Sequence, residues 1–219
     1  MIFVNFKTYP QGTGFEALKL VKILEEVAHE AQIKIIPVLQ STDIKEAQIA
    51  TTLEIWVQHV DPVEAGAHTG FILPEAVLED GAMGTFLNHS EHKFVNFDDL
   101  KKASVRATQV GLKTLIFADG IEELKKVIEL KPNFVSYEPP ELVGSATTSV
   151  ATAHPDIISE AANLSHGFGI PLIVGAGIHS MDDVRKSLEL GAVGVAVASD
   201  IVKSEDPKKE ILDLIEGFK

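Results

Sequence analysis

The chain has 219 residues, 45% of them hydrophobic, which suffices for one large core and is short for two, so a single domain spanning 1–219 is expected. Nineteen Lys and Arg against 32 Asp and Glu leave a net charge of -13, a field that repels phosphate backbones and acidic membrane surfaces and argues against nucleic acid as a partner. No cysteine is present to form disulfides, thiolate nucleophiles or Cys-based metal sites, and no signal-peptide pattern or bilayer-length apolar run is found; a soluble, cytoplasmic protein without a membrane partner is expected.

Short runs rich in Ile, Val and Phe alternate with segments of helical period along the whole chain. IFVNF precedes FEALKLVKILEEVAHEA, in which Ala17, Leu20, Val21, Leu24 and Val27 share one face. KIIPVL precedes TDIKEAQIA, and EIWVQH precedes a long loop and a short helix from Pro74 to Glu79. AMGTFL leads to FDDLKKASVRATQV with Asn96 as its cap, KTLIFA to GIEELKKVIEL, and NFVSYE to a helix opening near Pro155 and Asp156. PLIVGAG leads to SMDDVRKSLEL, capped by Ser180, and VGVAVA to the last helix near DPKKEILDLIEGF. Continuously apolar strands suit a parallel sheet covered on both faces, and eight such units in a chain this size predict an α/β fold of the (β/α)8 barrel type, with a doubly wound open sheet as the alternative.

Chemistry in such barrels collects at the C-terminal strand ends. Strand one ends in Asn5, Phe6 and Lys7, strand three in Gln58 and His59, strand four in Asn88, His89, Ser90 and Glu91, and strand six in Tyr137 and Glu138. Strands seven and eight end in Gly175, Ala176, Gly177 and in Ala198, Ser199. Taken singly, Lys7 reads as a solvated lysine, His89 as a loop histidine, Glu138 as a rim carboxylate and the glycines as a tight turn. Gathered on one rim, they form a set suited to removing a proton beside a carbonyl: Glu138 as base, a neutral His89 as hydrogen-bond donor, Lys7 as fixed positive charge, and backbone amides near Gly177, Ala198 and Ser199 for a ligand phosphate. No metal or other cofactor is called for; His89 with Glu91, or with His92, has the spacing of a ligand pair but no third partner.

NFK at 5–7, NHSEH at 88–92, YEPPELVG at 137–144, QHVDPVEAGAHTG at 58–70, GAG at 175–177 and VAS at 197–199 together make the chain resemble the triosephosphate isomerase family in its short archaeal form. The resemblance covers essentially the whole chain. It implies cofactor-free interconversion of glyceraldehyde 3-phosphate and dihydroxyacetone phosphate, a step of glycolysis and gluconeogenesis. It assigns Glu138 as base, His89 as electrophile, Lys7 as catalytic and substrate-binding, and Asn5, Phe6, Val143, Gly144, Ser145, Gly177, Ala198 and Ser199 as ligand or phosphate contacts. In that family a helix N-terminus keeps the histidine neutral, and Ser90, Glu91 and His92 are expected to form a first helical turn here. Three departures stand out. Ser145 and Ala146 replace the Thr-Gly usual in the lid, which restricts its backbone. Asp200 stands where a Gly is usual and is expected to point away from the phosphate and cap the next helix, and Ala118 takes the place of a usual Cys.

The loop from Val60 to Leu73 is long for a βα connection. The resemblance implies that it projects into a neighbouring subunit, with Thr69 approaching the partner's Lys7 region, in a homodimer or homotetramer. Another phosphosugar barrel enzyme and a non-catalytic barrel that has lost its lid are the competing readings.

Overall fold

The apolar runs form strands because their Val, Ile and Phe side chains fit a pleated sheet buried on both faces. The computed structural model describes residues 1–138 and 153–219. Its strands are β1 (Ile2–Asn5), β2 (Ile35–Leu39), β3 (Trp56–Val57), β4 (Gly84–Leu87), β5 (Lys113–Ala118), β6 (Phe134–Tyr137), β7 (Leu172–Val174) and β8 (Gly194–Val197). All pair in parallel, in sequence order, and the sheet closes on itself. Closure rests on β1 pairing with β8, Ile2 opposite Val195 and Val4 opposite Val197, which rules out the open-sheet alternative.

The helices are α1 (Gly14–Ala31), α2 (Ile44–Ala50), α3 (Pro74–Glu79), α4 (Phe97–Val110), α5 (Ile121–Ile128), α6 (Pro155–Gly167), α7 (Met181–Glu189), α8 (Ser199–Val202) and α9 (Pro207–Glu216). The five apolar residues expected on one face of α1 are all buried. Asn96 caps α4 by accepting from the Asp99 amide at 2.9 Å, and Ser180 forms a capping box with Asp183 at α7. None of the described helices is long and apolar enough to cross a membrane. Two elements differ from the sequence reading. β3 is only two residues, extended past its end by the Gln58 amide donating to Leu39 O at 2.9 Å, and α8 is an unforeseen turn of helix directly after β8.

Strand alternation divides the core in two. Phe3, Ile36, Val38, Trp56, Phe86, Leu115, Phe117 and Ile173 fill the barrel, while Ile2, Val4, Leu39, Val57 and Ile116 face the helices. Trp56 is fully buried, with the Phe3 and Phe86 rings edge-on at 5.1 and 6.4 Å. Burying a side chain of that size, on the order of 200 Å², is worth roughly 5 kcal/mol. Gly84, opposite Trp56 on the next strand, leaves room for the indole, since a methyl there would strike it.

At the N-terminal end of the barrel, Glu54 accepts from Lys34 Nζ at 2.6 Å, Lys113 Nζ at 2.9 Å and Trp56 Nε1 at 2.9 Å. Burial pushes its carboxyl up, but the bonds from Lys34, Lys113 and Trp56 outweigh that and hold it at about 2.

Candidate active site

The opposite end of the barrel carries three of the five non-glycine residues with positive φ found among the described residues: Lys7 at 48°, Asn88 at 62° and Ala176 at 64°, each just past its strand. Left-handed backbone at such residues is strained and must be held by its surroundings. At Lys7 the amide donates to Asn5 Oδ1 at 3.0 Å, and Gln58 Nε2 donates to the Lys7 carbonyl at 2.9 Å. At Asn88 the side chain donates to Phe117 O at 3.0 Å and to Glu123 Oε1 at 3.0 Å, and accepts from the Phe94 amide at 3.3 Å. The kink at Asn88 brings His89 into the same cavity as Phe86.

That cavity is lined by Asn5, Lys7, His89 and Glu138 on one side and by Gly177, Ala198 and Ser199 on the other. His89 Nε2 lies 3.3 Å from Glu138 Oε2, and Ser90 Oγ donates to the same oxygen at 3.3 Å. The Glu91 amide donates to His89 Nδ1 at 3.1 Å, so Nδ1 accepts and the ring proton sits on Nε2. Lys7 Nζ pairs with Glu91 Oε1 at 2.7 Å. Burial pushes the Glu138 carboxyl above the ordinary carboxylate range, and nearby His89, Lys7 and the Ser90 hydroxyl only partly offset it. A carboxylate so desolvated is a stronger base than one in water.

The structure corrects several expectations. Phe6 does not line the cavity: alternation turns Phe3 and Asn5 inward and Phe6 outward, where its ring is wholly buried between barrel and helices. Ser90 to His92 form a single turn closed by the His92 amide on His89 O at 2.8 Å, rather than the start of a helix. Asp200 does not turn away or cap the next helix; it lines the cavity and pairs with His179 Nδ1, while Asp206 caps α9. Val143, Gly144, Ser145 and Ala146 lie outside the described residues.

Gly175 has a role beyond the turn. A Cβ there would come within 2.5 Å of Glu138 Oε1, so the missing side chain leaves the carboxylate its place. His179 was not singled out in the sequence, where an isolated His after a glycine turn carries no signal of its own. Among the described residues no three His, Asp or Glu side chains converge as metal ligands. What the arrangement can do is proton transfer: a desolvated carboxylate, a neutral N–H donor and an ammonium face one small space.

The loop between β3 and α3 projects from this end. Asp61 and Ile72 close its neck through two bonds, Asp61 N to Ile72 O at 2.9 Å and Ile72 N to Asp61 Oδ2 at 2.6 Å, and residues 64–71 are exposed.

A family model described as Triosephosphate isomerase matches residues 1–217. The chain is 40% identical over 218 residues to the triosephosphate isomerase of Metallosphaera sedula, covering 99% of this chain and 95% of that one. It is 39% identical over 217 residues to that of Methanobacterium bryantii, covering 98% and 95%, and 39% identical over 216 residues to that of Saccharolobus solfataricus, covering 98% and 94%. The chain, matched over nearly its full length, belongs to the triosephosphate isomerase family.

Proposed function

We propose that this chain, as one (β/α)8 domain in the cytoplasm, interconverts D-glyceraldehyde 3-phosphate and dihydroxyacetone phosphate by proton transfer through an enediolate. Glu138 removes the proton from the carbon beside the carbonyl and returns it to the neighbouring carbon, so one group serves as base and then as acid. His89 donates from Nε2 to the oxygens that gain charge, and Lys7 balances that charge from the other side. The phosphate rests against the backbone near Gly177, Ala198 and Ser199, with Asn5 beside the reacting carbons and Val143, Gly144 and Ser145 as further ligand contacts.

The observation that carries this reading is the Glu91 amide on His89 Nδ1, with Nε2 3.3 Å from the Glu138 carboxylate. It supplies an acid and a base of opposite character in one desolvated cavity without a further group. A coupled assay on glyceraldehyde 3-phosphate tests it: the parent chain turns over, and Glu138→Asp, which retracts the base, loses on the order of 100-fold in kcat. No turnover by the parent chain overturns the reading in favour of a binding protein.

The working unit is a homodimer or a pair of such dimers. Supporting this are the exposed tip of the 60–73 loop and a cavity of about 470 Å³ beside the site, lined by Lys7, Thr8, Gln58, His59 and Glu91. A fully active monomer in sedimentation and kinetic measurements overturns it.

A further inference from the structure

The phosphate end of the cavity holds two titratable side chains that the proton transfer does not use. His179 follows the turn after β7, Asp200 stands in α8, and both line the cavity beside Gly177, Ala198 and Ser199. They are 21 residues apart in sequence and hydrogen-bonded through His179 Nδ1 and Asp200 Oδ2. Asp200 Oδ1 also accepts from Ser199 Oγ at 3.3 Å, and the His179 amide donates to Asp183 Oδ2 at 3.1 Å, so both residues are anchored. The remaining ring nitrogen, Nε2, is buried and has no hydrogen-bond partner among the described residues.

These facts pose a conflict. A carboxylate in a cradle for a phosphate dianion repels the ligand, and a buried ring nitrogen without a partner carries a desolvation penalty. One ligand resolves both. We propose that His179 is a phosphate-recognition residue of this chain: its ring, tethered through Nδ1 to Asp200 and buried at Nε2 in this structure, turns its Nε2–H toward a phosphoryl oxygen when the substrate binds and cancels the repulsion of the Asp200 carboxylate. In that state the ring carries both protons, a cation between two anions, which makes both hydrogen bonds charge-assisted. His179 is thus a ligand contact and Asp200 a positioning residue. The inference rests on the triose phosphate reading above for where the phosphate lies.

The pairing makes an unusual prediction about single and double variants. His179→Ala removes the donor and leaves the carboxylate bare, so KM for glyceraldehyde 3-phosphate rises by roughly tenfold to a hundredfold and kcat changes by less than about threefold. The inhibition constant of inorganic phosphate rises in parallel. Removing the repulsion as well, in His179→Ala with Asp200→Ala, restores part of the lost affinity, so the double variant binds better than the single one. His179→Gln, which keeps an N–H donor, retains more affinity than His179→Ala and stands in for it if that variant does not fold. Unchanged KM and phosphate inhibition in His179→Ala and His179→Gln, or a double variant no better than the single, overturns the inference. Direct titration of the parent and His179→Ala with inorganic phosphate, followed by NMR of the ring nitrogens, separates the two readings. Phosphate binding that depends on His179 in a chain without isomerase turnover sinks the proposed function alone, whereas turnover with His179-independent binding sinks this inference alone.

Discussion

Two glutamates, one half-buried and one buried, stand at opposite ends of the same barrel and are shifted in opposite directions. Glu54, at the N-terminal end, is met by two ammonium groups and an indole N–H, and is held at about 2. Glu138, at the C-terminal end, is met by one hydroxyl at 3.3 Å and the His89 ring at 3.3 Å, and burial pushes it up more than these and Lys7 bring it down. Burial alone therefore does not decide what a carboxylate does. The depth of burial and the number of donors that accompany the carboxyl decide it together. One end surrounds its carboxyl with charged donors, and the other leaves its carboxyl short of them.

The strongest way to break this comparison is Glu138→Gln. Loss of the base lowers kcat by on the order of 10³-fold in the coupled assay. The same variant sharpens the comparison through stability. With the folded carboxyl above its ordinary 4.5, the folded state holds the proton more tightly, so the parent loses stability as pH rises through that window. Glu138→Gln cannot ionise; its melting temperature exceeds the parent's at about pH 8, and the gap closes below about pH 4. A variant less stable than the parent at about pH 8 would contradict the desolvation account.

Gly175→Ala comes next, since the added methyl displaces the carboxylate rather than removing it. A shift of that kind costs about 10- to 100-fold in kcat with the fold intact, readable by kinetics beside circular dichroism. At the other end, Glu54→Gln breaks ionic hydrogen bonds and costs about 1–3 kcal/mol of stability with kcat unchanged, measured by denaturant unfolding. The stability that Glu54 supplies is fully present above its ordinary 4.5 and fades as pH falls toward about 2, the mirror image of Glu138. The smallest effect is Asn96→Ala, which removes the α4 cap for about 1 kcal/mol and leaves the site alone.

Much of the fold was legible because its signals are local. The strands are apolar runs, and the caps Asn96 and Ser180 sit directly before their helices. The family strings NFK, NHSEH and YEPPELVG flagged Lys7, His89 and Glu138, and the structure brings those three to one cavity. What escaped the sequence depends on neighbours distant along the chain. Barrel closure was expected from the eight units, but its register, Ile2 against Val195, is a contact no local pattern records. Phe6 lies inside a recognisable string, but the side it faces is set by the pleat. The course of Asp200 was misjudged because its partner, His179, comes from another strand's loop, and Gly175 looked like a turn residue because nothing in its vicinity names Glu138 as the group needing space.

The Asp61–Ile72 clasp has a consequence for association. Two main-chain-anchored bonds at 2.9 and 2.6 Å shut the base of the projecting loop, so its exposed end is carried on a stiff stalk. A closed neck leaves fewer backbone conformations open to residues 64–71, so any contact they make costs less ordering. Asp61→Ala, by contrast, would remove the bond from the Ile72 amide and widen the range of shapes open to the exposed stretch without altering any of its own residues.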